Sequence, residues 1–119
     1  MQRRQLAFRI ATVLWMGLIF YLSTIPDLKS SLPSVLDLVA RKAAHFLEFG
    51  VLFLLARESF GGPSRNVLAA VLAVAYAISD EYHQGFVAGR SPSPIDVLID
   101  SAGVLTAFLA LRKRPPTQA

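Results

Sequence analysis

Positions 67–78 read Val-Leu-Ala-Ala-Val-Leu-Ala-Val-Ala-Tyr-Ala-Ile, twelve residues that offer no polar face. A helix that is apolar all round has to be buried, in protein or in lipid. The competing architecture, a soluble four-helix bundle, needs a polar face on every helix. A chain of 119 residues holds too little protein to wrap this segment on all sides. Composition points the same way. Apolar residues make up 54% and charged residues 17%, with a mean hydropathy of +0.49; ordinary soluble domains run at about 45–50% and about 25%. These figures exclude a disordered chain. The length predicts one domain, 1–119. The absence of cysteine excludes a disulfide scaffold and a Cys-ligated metal site.

Three further segments are almost as apolar, and Ala, Leu and Val dominate without strand-like alternation. Helices are predicted at about 6–25, 35–60, 66–83 and 94–111. At about 1.5 Å per residue, apolar runs of 17 to 20 residues cover roughly 25–30 Å, close to a bilayer core. Ser23-Thr24-Ile25-Pro26-Asp27 ends the first helix, and Gly61-Gly62-Pro63 breaks the chain between the second and third. Ser93 as N-cap, Pro94 at the first helical position and Asp96 three residues after the cap form a start signal for the fourth. Ser34-x-x-Asp37 is a similar start ahead of the second. The first segment follows Arg3 and Arg4 as a signal peptide would, but it ends without an A-x-A site and is read as a retained span. The expected fold is all-α, a four-transmembrane-helix bundle.

The basic residues set an orientation. With four spans, Arg3, Arg4, Arg9, Arg57, Arg65, Arg112, Lys113 and Arg114 share one side, and Lys29, Arg41, Lys42 and Arg90 share the other. Eight against four predicts both termini in the cytoplasm of a bacterial inner membrane. The sequence pI near 10 is therefore a topology signal. Nucleic-acid binding is set aside, because the basic residues sit at helix ends with no reader motif. Arg9 is expected to snorkel to the interface, and Arg112-Lys113-Arg114 to anchor on anionic lipid. Trp15, Phe20 and Tyr21 are read as lipid-facing or interfacial aromatics. Gly103-x-x-x-Ala107 is read as a small-residue stripe for close helix packing.

Polar residues gather at the outward end. Lys42, His45 and Glu48 step by three along the second helix, with Glu48 about 4.5 Å deeper than His45. Asp80, Glu81, His83 and Gln84 end the third helix, and Arg90 lies in the connection. Asp96 and Asp100 step by four on the fourth helix. Two layers are expected: an outer one of Lys42, His45, Asp80 or Glu81, and Asp96, and an inner one of Glu48, Tyr76 and Asp100. A carboxylate near the bilayer centre costs roughly 2.5–3.5 kcal/mol on insertion scales, so Glu48 and Asp100 are expected to face inward. Three chemistries fit these residue types. Paired acids beside a histidine suit general acid–base work, with His45, Glu48, Asp80 and Glu81 as candidates. Lys42 and Arg90 suit an anionic ligand group, with Gln84, Asp96 and Asp100 as further ligand-binding candidates. His45, Glu48, Asp80, Glu81 and Asp96 include types that bind divalent metals, although no cofactor or metal is predicted. The alternative is a polar network that only fixes helix packing.

Two blocks of this sequence resemble the VanZ-like family of small bacterial membrane proteins. The first is Arg41-Lys42-Ala43-Ala44-His45-Phe46-Leu47-Glu48-Phe49. It is similar to the family's basic residue, histidine, then acid followed by an aromatic. The second is Asp80-Glu81-Tyr82-His83-Gln84-Gly85-Phe86-Val87-Ala88-Gly89-Arg90, with Asp96-Val97-Leu98-Ile99-Asp100-Ser101-Ala102-Gly103 after it. It resembles the pattern Asp-Glu, Gln, aromatic, Gly-Arg, Asp, then Asn or Asp before Gly. Phe49 stands where tyrosine is common, and Ala88 where proline often precedes Gly-Arg. The resemblance covers about 41–111 and implies a multi-pass bacterial membrane protein. The family takes its name from a member that confers resistance to the glycopeptide teicoplanin. By resemblance, Lys42, His45, Glu48, Asp80, Glu81, Gln84, Arg90, Asp96 and Asp100 match its polar positions. The expected partners are the lipid bilayer and a lipoglycopeptide or polar envelope lipid. Alternatives are a small enzyme acting on a lipid-linked cell-wall precursor, or a subunit of an oligomeric transporter.

Overall fold

The structure, a computed structural model, describes residues 3–24, 34–86 and 94–112. It is all-helical: α1 (Arg3–Thr24), α2 (Ser34–Ser59), α3 (Asn66–Gln84) and α4 (Pro94–Arg112). A single 3-10 turn, Pro63–Arg65, leads into α3. Gly61 and Gly62 adopt φ of 121° and 109°, a region that side chains resist, so this tight corner needs both glycines. The expected capping residue Ser93, the capping side chains of Ser34 and Asp37, and the basic tail from Arg112 lie outside the described side chains.

α2 is the hub. It packs on α1, α3 and, most extensively, α4. Phe49, Leu52, Phe53 and Ala56 of α2 form the centre of the core, with Ile19 of α1, Ala69, Ala73 and Ala77 of α3, and Val104 of α4. α2 and α4 run parallel and cross where glycine removes the side-chain bulk. A Cβ at Gly103 would lie 2.1 Å from the Phe46 carbonyl oxygen, and one at Gly50 would lie 3.4 Å from the Gly103 carbonyl oxygen. The small-residue reading of Gly103 thus holds, and Gly50 is its counterpart.

α3 is packed the opposite way from a helix of a water-soluble bundle. Its inward stripe is alanine, while Val67, Val71 and Ile78 point outward with 68%, 60% and 56% of their surface exposed. Isolated exposed apolar residues are ordinary, but a continuous apolar exterior is informative. Two segments, Arg3–Leu22 and Pro94–Leu111, are long and apolar enough to cross a membrane. Only 11% and 22% of these stretches is buried, so neither is a core helix. α2 and α3 are not apolar enough over a comparable length. Arg41, Lys42, Glu48, Arg57 and Glu58 interrupt α2, and Asp80 to Gln84 make one end of α3 polar. By length and apolarity, the expectation of four spans is therefore met by two helices.

α1 is fastened by hydrogen bonds that cross between helices. Trp15 Nε1 donates to the Glu48 carbonyl at 2.9 Å, and the Tyr76 hydroxyl donates to the Met16 carbonyl at 2.6 Å. Each such bond is worth about 1 kcal/mol net. Trp15 is thus not the lipid-facing aromatic expected from its position; its ring packs against the core. Phe20 and Tyr21 do stay exposed, and Phe20 stacks on His83 with ring centroids 4.3 Å apart. Arg9 also has a definite partner. Its Nε and Gln5 Nε2 each donate to the Ser59 carbonyl at 3.1 Å, satisfying an acceptor at the C-terminus of α2. Arg4 and Arg57 both pair with Glu58 beside it, at 2.8 and 3.1 Å.

Candidate functional site

Polar residues from α2, α3 and α4 meet one to two turns from the α2–α4 crossing. On α2, the three-residue step from Lys42 to His45 keeps both on the face toward α4. On α4, the four-residue step from Asp96 to Asp100 does the same. The two faces pair like rungs: Lys42 Nζ with Asp96 Oδ1, then His45 Nδ1 with Asp100 Oδ1 at 3.2 Å. The second contact has ion-pair distance without the alignment of a linear hydrogen bond. The rung after that is the backbone contact of Phe46 with Gly103. Gly103 therefore serves the site as well as the fold, because the close approach there brings Asp100 within reach of His45.

α3 supplies the third wall. Its buried stripe runs Ala69, Ala73, Ala77, Asp80 and Gln84, so one helix face changes from alanine to polar as it reaches the cluster. Gln84 Nε2 donates to Asp80 Oδ2 at 3.3 Å. The charges of Asp80 and Asp96 act on Asp100, and that of Glu48 acts on His45. Asp80, Asp96 and Asp100 are 4%, 7% and 1% exposed. Burying a carboxylate costs several kcal/mol unless it is paired and hydrogen-bonded. Here Lys42 and His45 of α2 lie at ion-pair distance from Asp96 and Asp100, and Gln84 of α3 hydrogen-bonds Asp80.

The structure thus brings together Lys42, His45, Asp80, Gln84, Asp96 and Asp100, with Glu48 beside them. Glu81 is half-buried on the neighbouring face of α3. Arg90 lies outside the described residues. The expected layering changes in two respects. His45 pairs with the deeper Asp100 rather than with an outer acid. Tyr76 does not join an inner acidic layer through its hydroxyl, which is spent on the α1 backbone. His83 turns to Phe20 of α1. Among the described residues no three His, Asp or Glu side chains converge as metal ligands do. The anion grip expected of Lys42 is already engaged by Asp96.

Sequence reasoning had no signal for Trp15, whose indole bonds the backbone at Glu48, or for the Ser59 carbonyl cap. Both depend on which helix α1 lies against. Chemically, the cluster offers an imidazole beside a buried carboxylate, a neighbouring carboxyl–amide pair and an ammonium–carboxylate pair. Such a set can bind donors and acceptors of a polar group, and an imidazole next to a carboxylate is also a pairing that acid–base chemistry uses.

No protein of curated function and no solved structure matches the chain. A family model described as VanZ/LLP1 matches residues 8–113. That span takes in the core of all four helices and every residue of the polar cluster, and on it the chain belongs to the VanZ/LLP1 family.

Proposed function

We propose that this chain is a multi-pass protein of the bacterial cytoplasmic membrane, with four spans and both termini inside. Its polar cluster faces outward and binds the polar part of an amphiphile, either a lipoglycopeptide of the teicoplanin type or a polar envelope lipid. The observation that carries this reading is the inverted packing of α3, alanine inward and valine and isoleucine outward. In water, exposed apolar surface costs roughly 25 cal/mol per Å². In lipid that cost vanishes, and small residues favour helix–helix contact. The charges on α2 and α3 are compatible with spanning because they face the bundle and engage one another there. Arg4, Arg9 and Arg57 gather around Glu58 and Ser59 at the end of α2 away from the cluster, in keeping with a cytoplasmic basic end.

Two measurements test the proposal. A Gly89→Cys variant is expected to react with a membrane-impermeant maleimide from outside intact cells; protection of that cysteine overturns the orientation. The ligand part is tested by teicoplanin susceptibility of cells carrying wild type, Glu81→Gln or Arg90→Ala at matched expression. Wild type is expected to raise tolerance and both variants to lose it. No protection by wild type removes the antibiotic reading for this chain.

A second reading, acid–base catalysis on a lipid-linked cell-wall precursor, is favoured by the 3.2 Å contact of His45 with the buried Asp100. It is distinguished by turnover: Glu81→Gln then abolishes product formation and leaves precursor binding near wild type.

A further inference from the structure

The outer face of α1 carries a groove of about 310 Å³ lined by Arg9, Ile10, Val13 and Leu14. Ile10, Val13 and Leu14 are 54%, 67% and 68% exposed, so this wall is apolar and open to the surroundings of the bundle. From Arg9 to Leu14 the groove follows about 7.5 Å of helix. Its two ends differ. Leu14 points the groove toward the middle of α1, while Arg9 stands where α1 meets the end of α2.

The Arg9 end carries surplus positive charge. Arg9 uses only Nε, which donates to the Ser59 carbonyl. A guanidinium has five N–H donors, so the four on its Nη atoms have no acceptor among the described residues. A neutral carbonyl also leaves the unit charge of Arg9 uncancelled. Beside it, Arg4 and Arg57 share the single carboxylate of Glu58. Three guanidiniums against one acid leave an excess of two positive charges at the mouth of an apolar groove.

We infer that this groove seats one acyl chain of an anionic phospholipid, with the Arg9 guanidinium on its phosphate. Charge complementarity selects the occupant. The free Nη edge matches phosphate oxygens, and the Arg4–Glu58–Arg57 group adds net positive charge behind it. A zwitterionic head would bring a cation to the same surplus. The inference rests on the membrane-spanning reading above and lies at the other end of the bundle from the polar cluster. With both termini inside, the lipid belongs to the cytoplasmic leaflet.

The test uses fluorescence quenching in nanodiscs, whose leaflets have one composition, so the result is independent of orientation. The chain has one tryptophan, Trp15. Trp15→Phe combined with Leu14→Trp places the only indole in the groove, and Val13→Trp is the alternative position should the first fail to fold. Trp15→Phe with Val71→Trp reports bulk lipid on the exposed face of α3. Phosphatidylcholine discs carry a rising share of acyl-brominated phosphatidylglycerol or phosphatidylethanolamine. At position 14 the glycerol lipid is expected to quench with about tenfold higher apparent affinity, the scale of one charge-assisted contact. In Arg9→Gln the preference is expected to fall to the level seen at position 71, and in Arg9→Lys to persist. Equal quenching by both lipids at position 14, or an equal preference at position 71, overturns the inference. A preference that survives Arg9→Gln overturns the head-group contact. Relief of quenching by inorganic phosphate, beyond that by chloride at equal ionic strength, assigns the site to a free anion and overturns the lipid. Outside labelling of Gly89→Cys together with equal quenching leaves the functional reading standing and removes this site. Protection of that cysteine with selective quenching removes the orientation and keeps the site.

Discussion

Replacing Gly103 with alanine is expected to cost about 3 kcal/mol or more of stability, at or beyond the top of the usual overpacking range. The added Cβ would sit 2.1 Å from the Phe46 carbonyl oxygen, 2.9 Å from its carbonyl carbon and 3.2 Å from its Cα. All three are backbone atoms, so no rotamer change relieves the clash and α2 must move away from α4. Two other glycines calibrate the result. At Gly50 the nearest foreign atom is 3.4 Å away, and alanine there is expected to cost less than about 1 kcal/mol. At Gly17 nothing lies within 4 Å, and alanine is expected to stabilise α1 by up to about 1 kcal/mol through helix propensity. Reversible unfolding in mixed micelles, followed by far-UV circular dichroism, gives the ranking. Equal losses for Gly103→Ala and Gly50→Ala would falsify the crossing geometry. Gly103→Ala is also expected to separate His45 from Asp100, since Asp100 lies one turn away on the same helix.

The second large effect concerns that pair. Removing the imidazole in His45→Ala leaves the Asp100 carboxyl group, 1% exposed, without its partner on α2. Loss of one partner of a buried pair costs about 3–5 kcal/mol. Replacing both partners with apolar residues of similar volume is often neutral or stabilising. His45→Leu/Asp100→Leu is therefore expected to be as stable as wild type while His45→Ala is strongly destabilised. The double variant then separates a functional role from a packing role. If it folds and loses ligand binding, the pair belongs to the site. If it folds and keeps full function, the pair serves only to align α2 with α4. The same unfolding assay, with ligand or susceptibility readouts beside it, decides between these outcomes.

Much of this molecule is legible in the order of its residues. The all-helical class follows from apolar runs without alternation. The corner before α3 is legible in Gly61-Gly62-Pro63, because only glycine accepts the positive φ found at two successive positions. Lys42 and His45 share a face because they are three apart, and Asp96 and Asp100 because they are four apart. Trp15 and Arg9 illustrate the opposite case. Their residue types suggested an interface and gave no sign of the backbone carbonyl on α2 that each bonds. A carbonyl that another helix presents leaves no trace in the sequence around the donor.

Helical periodicity is a property of neighbours within about one turn, so it assigns residues to faces whatever the rest of the chain does. That is why the helices and the polar ends of α2, α3 and α4 can be read from order alone. Which face meets which is set by long-range packing. The register of α2 on α4 depends on how closely two backbones can approach, and here Gly103 lies against the Phe46 carbonyl. That contact, not the charge pattern, pairs Lys42 with Asp96 and His45 with Asp100. A list of acids and bases admits several pairings, and a backbone approach that only glycine permits leaves one.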